Sequence, residues 1–180
     1  MDGPDYEAME EVRKRLDSGE ALVWAGRPRP ARLAAMALPM FIFGMPWTAF
    51  AVLWTCGAAG FKIPKPGLNF GFLFPLWGLP FVLVGLGMLL GPVWGYLLAR
   101  RMIYAATSKR LLAVFGGTVR SFTPQKPLRV SCLEREDGSG DLTFPDAVGF
   151  SPSPGLKTAP GFYGVERVRE AEAALLRAFR

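Results

Sequence analysis

Between Arg32 and Lys62 no position carries a charge, and the uncharged run Leu33 to Phe61 is longer than the roughly 20 apolar residues that cross a bilayer as a helix. A second uncharged run extends from Pro66 to Ala99, densest in LWGLPFVLVGLGMLLGPVWGYLLA, residues 76–99. The pattern predicts transmembrane helices over 32–59 and 75–100, joined by a connecting loop over 60–74. That loop, GFKIPKPGLNFGFLF, holds two prolines, three glycines and an asparagine, the residues of turns. A membrane hairpin follows.

After Arg101 the apolar period shortens to that of strands. MIYAAT (102–107), RLLAVF (110–115), TVRSFT (118–123), LRVSCLERE (128–136) and GDLTF (140–144) are the strand candidates. Gly116–Gly117 suits a two-residue hairpin turn, and Asp137 to Gly140 a second turn. EALVWA, residues 20–25, predicts a further strand that can join the first of these, because the hairpin brings the chain back to the same membrane face. From Pro145 to Pro160 the chain reads as a loop with SPSPG inside it.

Two stretches carry the helical period outside the hairpin. Met9, Val12 and Leu16 predict a short amphipathic helix over 5–17, ended by Ser18 and Gly19 and docked on the rest of the protein. Val168, Ala171, Leu175 and Phe179 form one stripe of a helix over 165–179, which should pack on a sheet. The fold class expected is a membrane protein of α+β type, a two-helix transmembrane hairpin with an antiparallel β-domain closed by a C-terminal helix. The segments are 1–31, 32–59, 60–74, 75–100 and 101–180.

Charge adds the orientation. Arg27, Arg29, Arg32, Arg100 and Arg101 flank the outer ends of the spans, while only Lys62 and Lys65 lie in the loop. Basic residues stay on the cytoplasmic side, which places both termini in the cytoplasm. Trp24, Trp47, Trp54, Trp77, Trp94 and Tyr96 are expected mostly at span ends, where amphipathic rings sit at the headgroups. Gly87, Gly91 and Gly95 put a small-residue face on the second span for close helix packing, against the first span or another protein. Pro39, Pro46, Pro80 and Pro92 are expected to shape the spans. Thr48 and Thr55 are the only polar candidates in the first span, too few for a transport path.

Composition narrows the chemistry. The chain is 51% hydrophobic with a net charge of +6, but its basic residues gather beside the apolar runs, which favours membrane phosphates over nucleic acid. It has no histidine, the commonest general base and metal ligand. Cys56 and Cys132 form no CxxC motif and read as small buried apolar residues. The acidic start MDGPDYEAMEE is unlike a secretory signal. DGSGD, with Asp137 and Asp141, lacks the spacing of a calcium loop and reads as a turn. Glu134, Glu136 and Asp146 read as a solvated strand face. No catalytic constellation, cofactor or metal site is expected.

The stretch YAATSKRLL, residues 104–112, leaves the second span, and GEALVWAGRPRP, residues 19–30, precedes the first. Together around a hairpin they resemble the bacterial pleckstrin-homology-like (PH-like) membrane proteins, in which a span exits into YxxTxxRxx ahead of an antiparallel sheet. Tyr104, Thr107, Arg110 and Leu111 match that motif. Ser108 stands where the family usually has asparagine or aspartate, and the SPSPG loop has no counterpart there. Within the motif, Tyr104 is expected to cap the strand, Thr107 and Ser108 to bond the turn backbone, and Lys109 and Arg110 to face solvent or lipid phosphates.

The resemblance implies a non-catalytic accessory or assembly subunit of a larger bacterial inner-membrane complex, photosynthetic or respiratory, with integral-membrane subunits as partners. The alternative is a stand-alone module binding a small ligand or the anionic lipids of the cytoplasmic leaflet, with Arg27, Arg29, Arg32, Arg100, Arg101, Lys109 and Arg110 as a basic collar.

Overall fold

The computed structural model describes residues 6–61, 76–124, 127–147 and 159–180. Most of the connecting loop with Lys62 and Lys65, and the SPSPG loop, lie outside the described residues. The chain forms two compact units. A β-unit combines residues up to Leu33 with those from Tyr96 onward, and a hairpin unit covers Ala34–Gly95.

In the β-unit, α1 (Tyr6–Arg13) precedes β1 (Leu22–Gly26) and α2 (Pro30–Met36), the last running into the hairpin unit. After the hairpin come β2 (Met102–Thr107), β3 (Leu111–Phe115), β4 (Thr118–Phe122), β5 (Ser131–Glu134), β6 (Gly140–Thr143) and β7 (Gly161–Val165). β1 to β4 form one antiparallel sheet in sequence order, and β5 to β7 a second. The strand expected at EALVWA is β1, and it pairs with β2 in the register Trp24 to Ala106 and Gly26 to Tyr104.

Strand alternation sorts the β-unit core into two layers. Ile103, Ala105, Leu112 and Val114 point to the face on which α1 lays Ala8 and Val12, so the N-terminal helix does dock as expected. On the opposite face Tyr104 meets Phe162 of β7, stacked at a ring-centroid distance of 4.7 Å, and Phe144 closes edge-on to Phe162 at 5.1 Å. With both faces covered, every residue of β2 is buried. The C-terminal helix, Val168–Ala178, buries Val168, Ala171 and Leu175, with Phe179 just beyond it, against β1, β5 and β6. That is the stripe read from the sequence.

Three local features differ from expectation. β7 was hidden in GFYGV, whose two glycines weaken a strand signal. The run expected as one helix from residue 32 is divided at Ala37 into α2 and α3 (Leu38–Ala58), because Pro39 has no N–H to bond back along the helix. Pro39 and Pro80 occupy first turns, where proline costs little, so only Pro46 and Pro92 lie inside helices. The turn at Gly116–Gly117 is as expected, with φ of 50° and 96°, both positive as a type I′ hairpin requires.

The hairpin unit consists chiefly of α3 and α4 (Leu79–Ala99). Each has 21 residues and is apolar enough to cross a membrane, its length being about 31 Å at 1.5 Å per residue. The two meet through Gly44, Thr48 and Thr55 on one side and Gly78 and Gly85 on the other. A Cβ on Gly85 would collide with the Thr48 hydroxyl, and one on Gly78 with that of Thr55. Both threonines donate their hydroxyls to their own helix, Thr48 to the Gly44 carbonyl and Thr55 to that of Ala51, each at 2.6 Å. They pack the seam rather than line a polar path.

Candidate functional site

The two stretches that carry the family resemblance meet in the β-unit. Glu20, just before β1, has a fully buried side chain, and Arg110, just before β3, reaches it from 90 residues away with two parallel bonds. Arg110 Nε lies 2.9 Å from Glu20 Oε1 and Nη2 2.9 Å from Oε2, the fork geometry that makes arginine–carboxylate pairs strong. The Thr107 hydroxyl donates to Oε1 at 2.6 Å and the Asp17 backbone N–H to Oε2 at 3.0 Å. Arg110 also pairs with Asp17 at 2.7 Å. The hydrogen bonds from Arg110, aided by those of Thr107 and Asp17, outweigh burial and hold the Glu20 carboxyl down at about 2.

The turn chemistry of YAATSKRLL is realised in part as expected. Thr107 Oγ1 accepts from the backbone N–H groups of Lys109 and Arg110 at 3.2 and 3.0 Å. Ser108 works across the sheet instead, its Oγ accepting from the Ala21 N–H at 3.2 Å. Glu20 and Asp17 claim Arg110, and Lys109 reaches the Ser18 carbonyl at 3.4 Å. Tyr104 does not cap a strand. It is 1% exposed in the middle of β2, and burial raises its hydroxyl well above the ordinary tyrosine range. Leu111 is core.

A second ionic node surrounds DGSGD. The Asp141 side chain, 5% exposed, accepts from Arg32 at 2.7 Å, Arg135 at 2.6 Å and the Gly164 N–H at 2.8 Å. Burial pushes its carboxyl up, but the two arginines and the Gly164 N–H together leave it below the ordinary value. Asp137 accepts from the hydroxyl and N–H of Ser139 and pairs with Arg29, which hold its carboxyl at about 2. Both carboxylates are engaged, Asp137 with Arg29 and Ser139 of the turn and Asp141 with Arg32, Arg135 and the Gly164 N–H of β7.

The basic collar is therefore largely matched inside the molecule. Arg27 reaches Glu7 at 3.4 Å, Arg29 has Asp137, Arg32 has Asp141, and Arg110 has Glu20. Among the described residues Arg100 and Arg101 make no ion pair with a carboxylate. Nothing in the sequence signalled this sorting, because each partner lies on a different element.

A groove of about 590 Å³ opens in the β-unit, with Met9, Trp24, Ala99 and Val165 among its apolar lining residues and Arg27, Arg100, Glu166, Arg167 and Glu170 as its charged ones. Trp24 lies outside the two apolar helices. It lies in β1, its ring 6.0 Å from that of Phe162, and folds over Gly26, where a Cβ would come within 2.8 Å of the indole. Trp47 lies mid-helix and donates its indole N–H to the Phe81 carbonyl at 3.1 Å. Of the glycine face on α4, Gly95 is buried, a Cβ on Gly91 would touch Ala37 at 3.5 Å, and Gly87 faces open space. No family model matches the chain, and no curated protein or solved structure matches it either.

Proposed function

We propose that the chain is a bacterial inner-membrane protein, spanning twice with both termini cytoplasmic, that serves as a non-catalytic accessory or assembly subunit of a larger integral-membrane complex. The observation that carries this reading is the uncovered surface of the hairpin. Phe43, Phe50 and Leu53 of α3 and Leu83, Leu90 and Trp94 of α4 are all exposed. Helices apolar all round belong in a core or in lipid, and only 11% and 17% of these two is buried within the chain. Lipid and partner helices are the surroundings that fit.

The four-stranded and three-stranded antiparallel sheets with a closing helix support a PH-like β-unit. Internal pairing of Arg27, Arg29, Arg32 and Arg110 weighs against a broad lipid-phosphate collar and favours docking to protein. A photosynthetic or respiratory complex as the partner rests on the family resemblance alone.

Purification from native membranes in mild detergent, followed by mass spectrometry, tests the reading. Stoichiometric co-purification of integral-membrane subunits is expected, and a protein recovered alone would sink it. Gly87 faces open space on α4, so Gly87→Leu should release the partner while leaving the hairpin folded. Unchanged retention would remove this helix face from the docking surface.

A further inference from the structure

We propose that the groove beside Arg100 binds a single anionic amphiphile, its phosphate or carboxylate on Arg100 and its apolar body against Trp24, Met9 and Ala99. The volume of about 590 Å³ falls within the roughly 300–1,000 Å³ of small-molecule sites, which combine apolar walls with a few polar groups that orient the ligand.

Of the arginines that line the groove, Arg100 is the one without a carboxylate partner among the described residues. Arg167 pairs with Glu170 at 3.2 Å, Arg29 approaches Glu166 at 3.8 Å, and Arg27 approaches Glu7 at 3.4 Å. Arg100 has no such carboxylate among the described residues. One unmatched guanidinium beside an indole calls for a ligand with one acid group and an apolar portion, rather than a free inorganic ion.

The groove's wall depends on a specific absence of side chain. Trp24 lies over Gly26, so any larger residue at position 26 must displace the indole. The source of the ligand rests on the membrane reading above. Ala99 ends the second apolar helix and Pro30 opens the helix before the first, which makes a lipid of the adjoining leaflet the natural supply.

The test uses the full chain in mild detergent, titrated with phosphatidylglycerol or phosphatidylcholine and read by native mass spectrometry. Wild type should retain one phosphatidylglycerol in preference to phosphatidylcholine. Arg100→Gln should weaken that retention about tenfold, as loss of a charge-assisted pair implies. Arg100→Lys should restore most of it, and Gly26→Ala should weaken it through Trp24. Arg101→Gln is the control for bulk charge and topology, and should bind as wild type does.

Equal retention of the two lipids, wild-type binding by Arg100→Gln, or equal loss in Arg101→Gln each overturns the proposal. Displacement by glycerol phosphate at matched concentration would show that the headgroup suffices and would overturn the amphiphile. Fractionation without detergent reads the hairpin separately, since a soluble chain would sink the membrane reading while the lipid titrations still decide the groove.

Discussion

Glu20 shows what a single buried carboxylate does here. Its side chain is shut off from solvent, and four donors hold it ionised, with its carboxyl at about 2 against an ordinary 4.5. Because the folded value is depressed, the stabilisation is fully present above pH 4.5 and is lost as pH falls from 4.5 toward 2. Each unit corresponds to 1.36 kcal/mol, and allowing for solvent at the partly exposed Arg110 leaves a contribution on the order of 2 kcal/mol. Glu20→Gln should lower stability by about that amount at pH 7, and acid titration of its melting temperature should be flatter between pH 4.5 and 2 than in wild type. An identical acid profile would place the pH-sensitive group elsewhere, Asp141 being the next candidate by its lowered carboxyl. The resemblance marked Thr107 and Arg110 as motif residues and took in Glu20 only within the stretch GEALVWAGRPRP, and their meeting across the hairpin was not visible in the sequence.

At the scale of elements, local spacing was a good guide to the last helix and to β2. The stripe Val168, Ala171, Leu175 and Phe179 is the buried face of the last helix. MIYAAT is β2 in full. Spacing was a poorer guide to the helix seam. Gly87, Gly91 and Gly95 stood out by regularity, yet the close approach between α3 and α4 is made by Gly44, Gly78 and Gly85, whose threonine and methionine partners define it. Gly85→Leu should therefore destabilise the hairpin by about 1–3 kcal/mol through overpacking against Thr48, whereas Gly87→Leu should stay within about 0.5 kcal/mol. Thermal melts in one detergent compare them, and equal effects would contradict the seam. β7 escaped because its strand signal is carried by Phe162 and Tyr163 between two glycines, and its place is set by β6 and by the Asp141 bond to the Gly164 N–H.

At the scale of the molecule, the β-unit is assembled from both flanks of the hairpin. β1 and β2 pair although the whole hairpin separates them, and Glu20 grips Arg110 across the same gap. A cut introduced between Phe61 and Leu76 should thus leave two fragments that co-purify in detergent, held by the β1–β2 ladder and by the α1 contacts with β2. Separation of the fragments without denaturant would show that the ladder, the α1 contacts and the α3–α4 seam together cannot hold the halves. Glu20→Ala combined with Arg110→Ala should make the cut protein come apart more readily. By itself the sequence determined the two apolar helices, most of the strands and the stripes of the outer helices, because these depend on the periodic spacing of nearby residues. Only the tertiary structure decided which arginines of the collar meet carboxylates, which glycines touch, where β7 lies and that a groove opens beside Trp24. Those outcomes depend on contacts between residues tens of positions apart, and no local period encodes them.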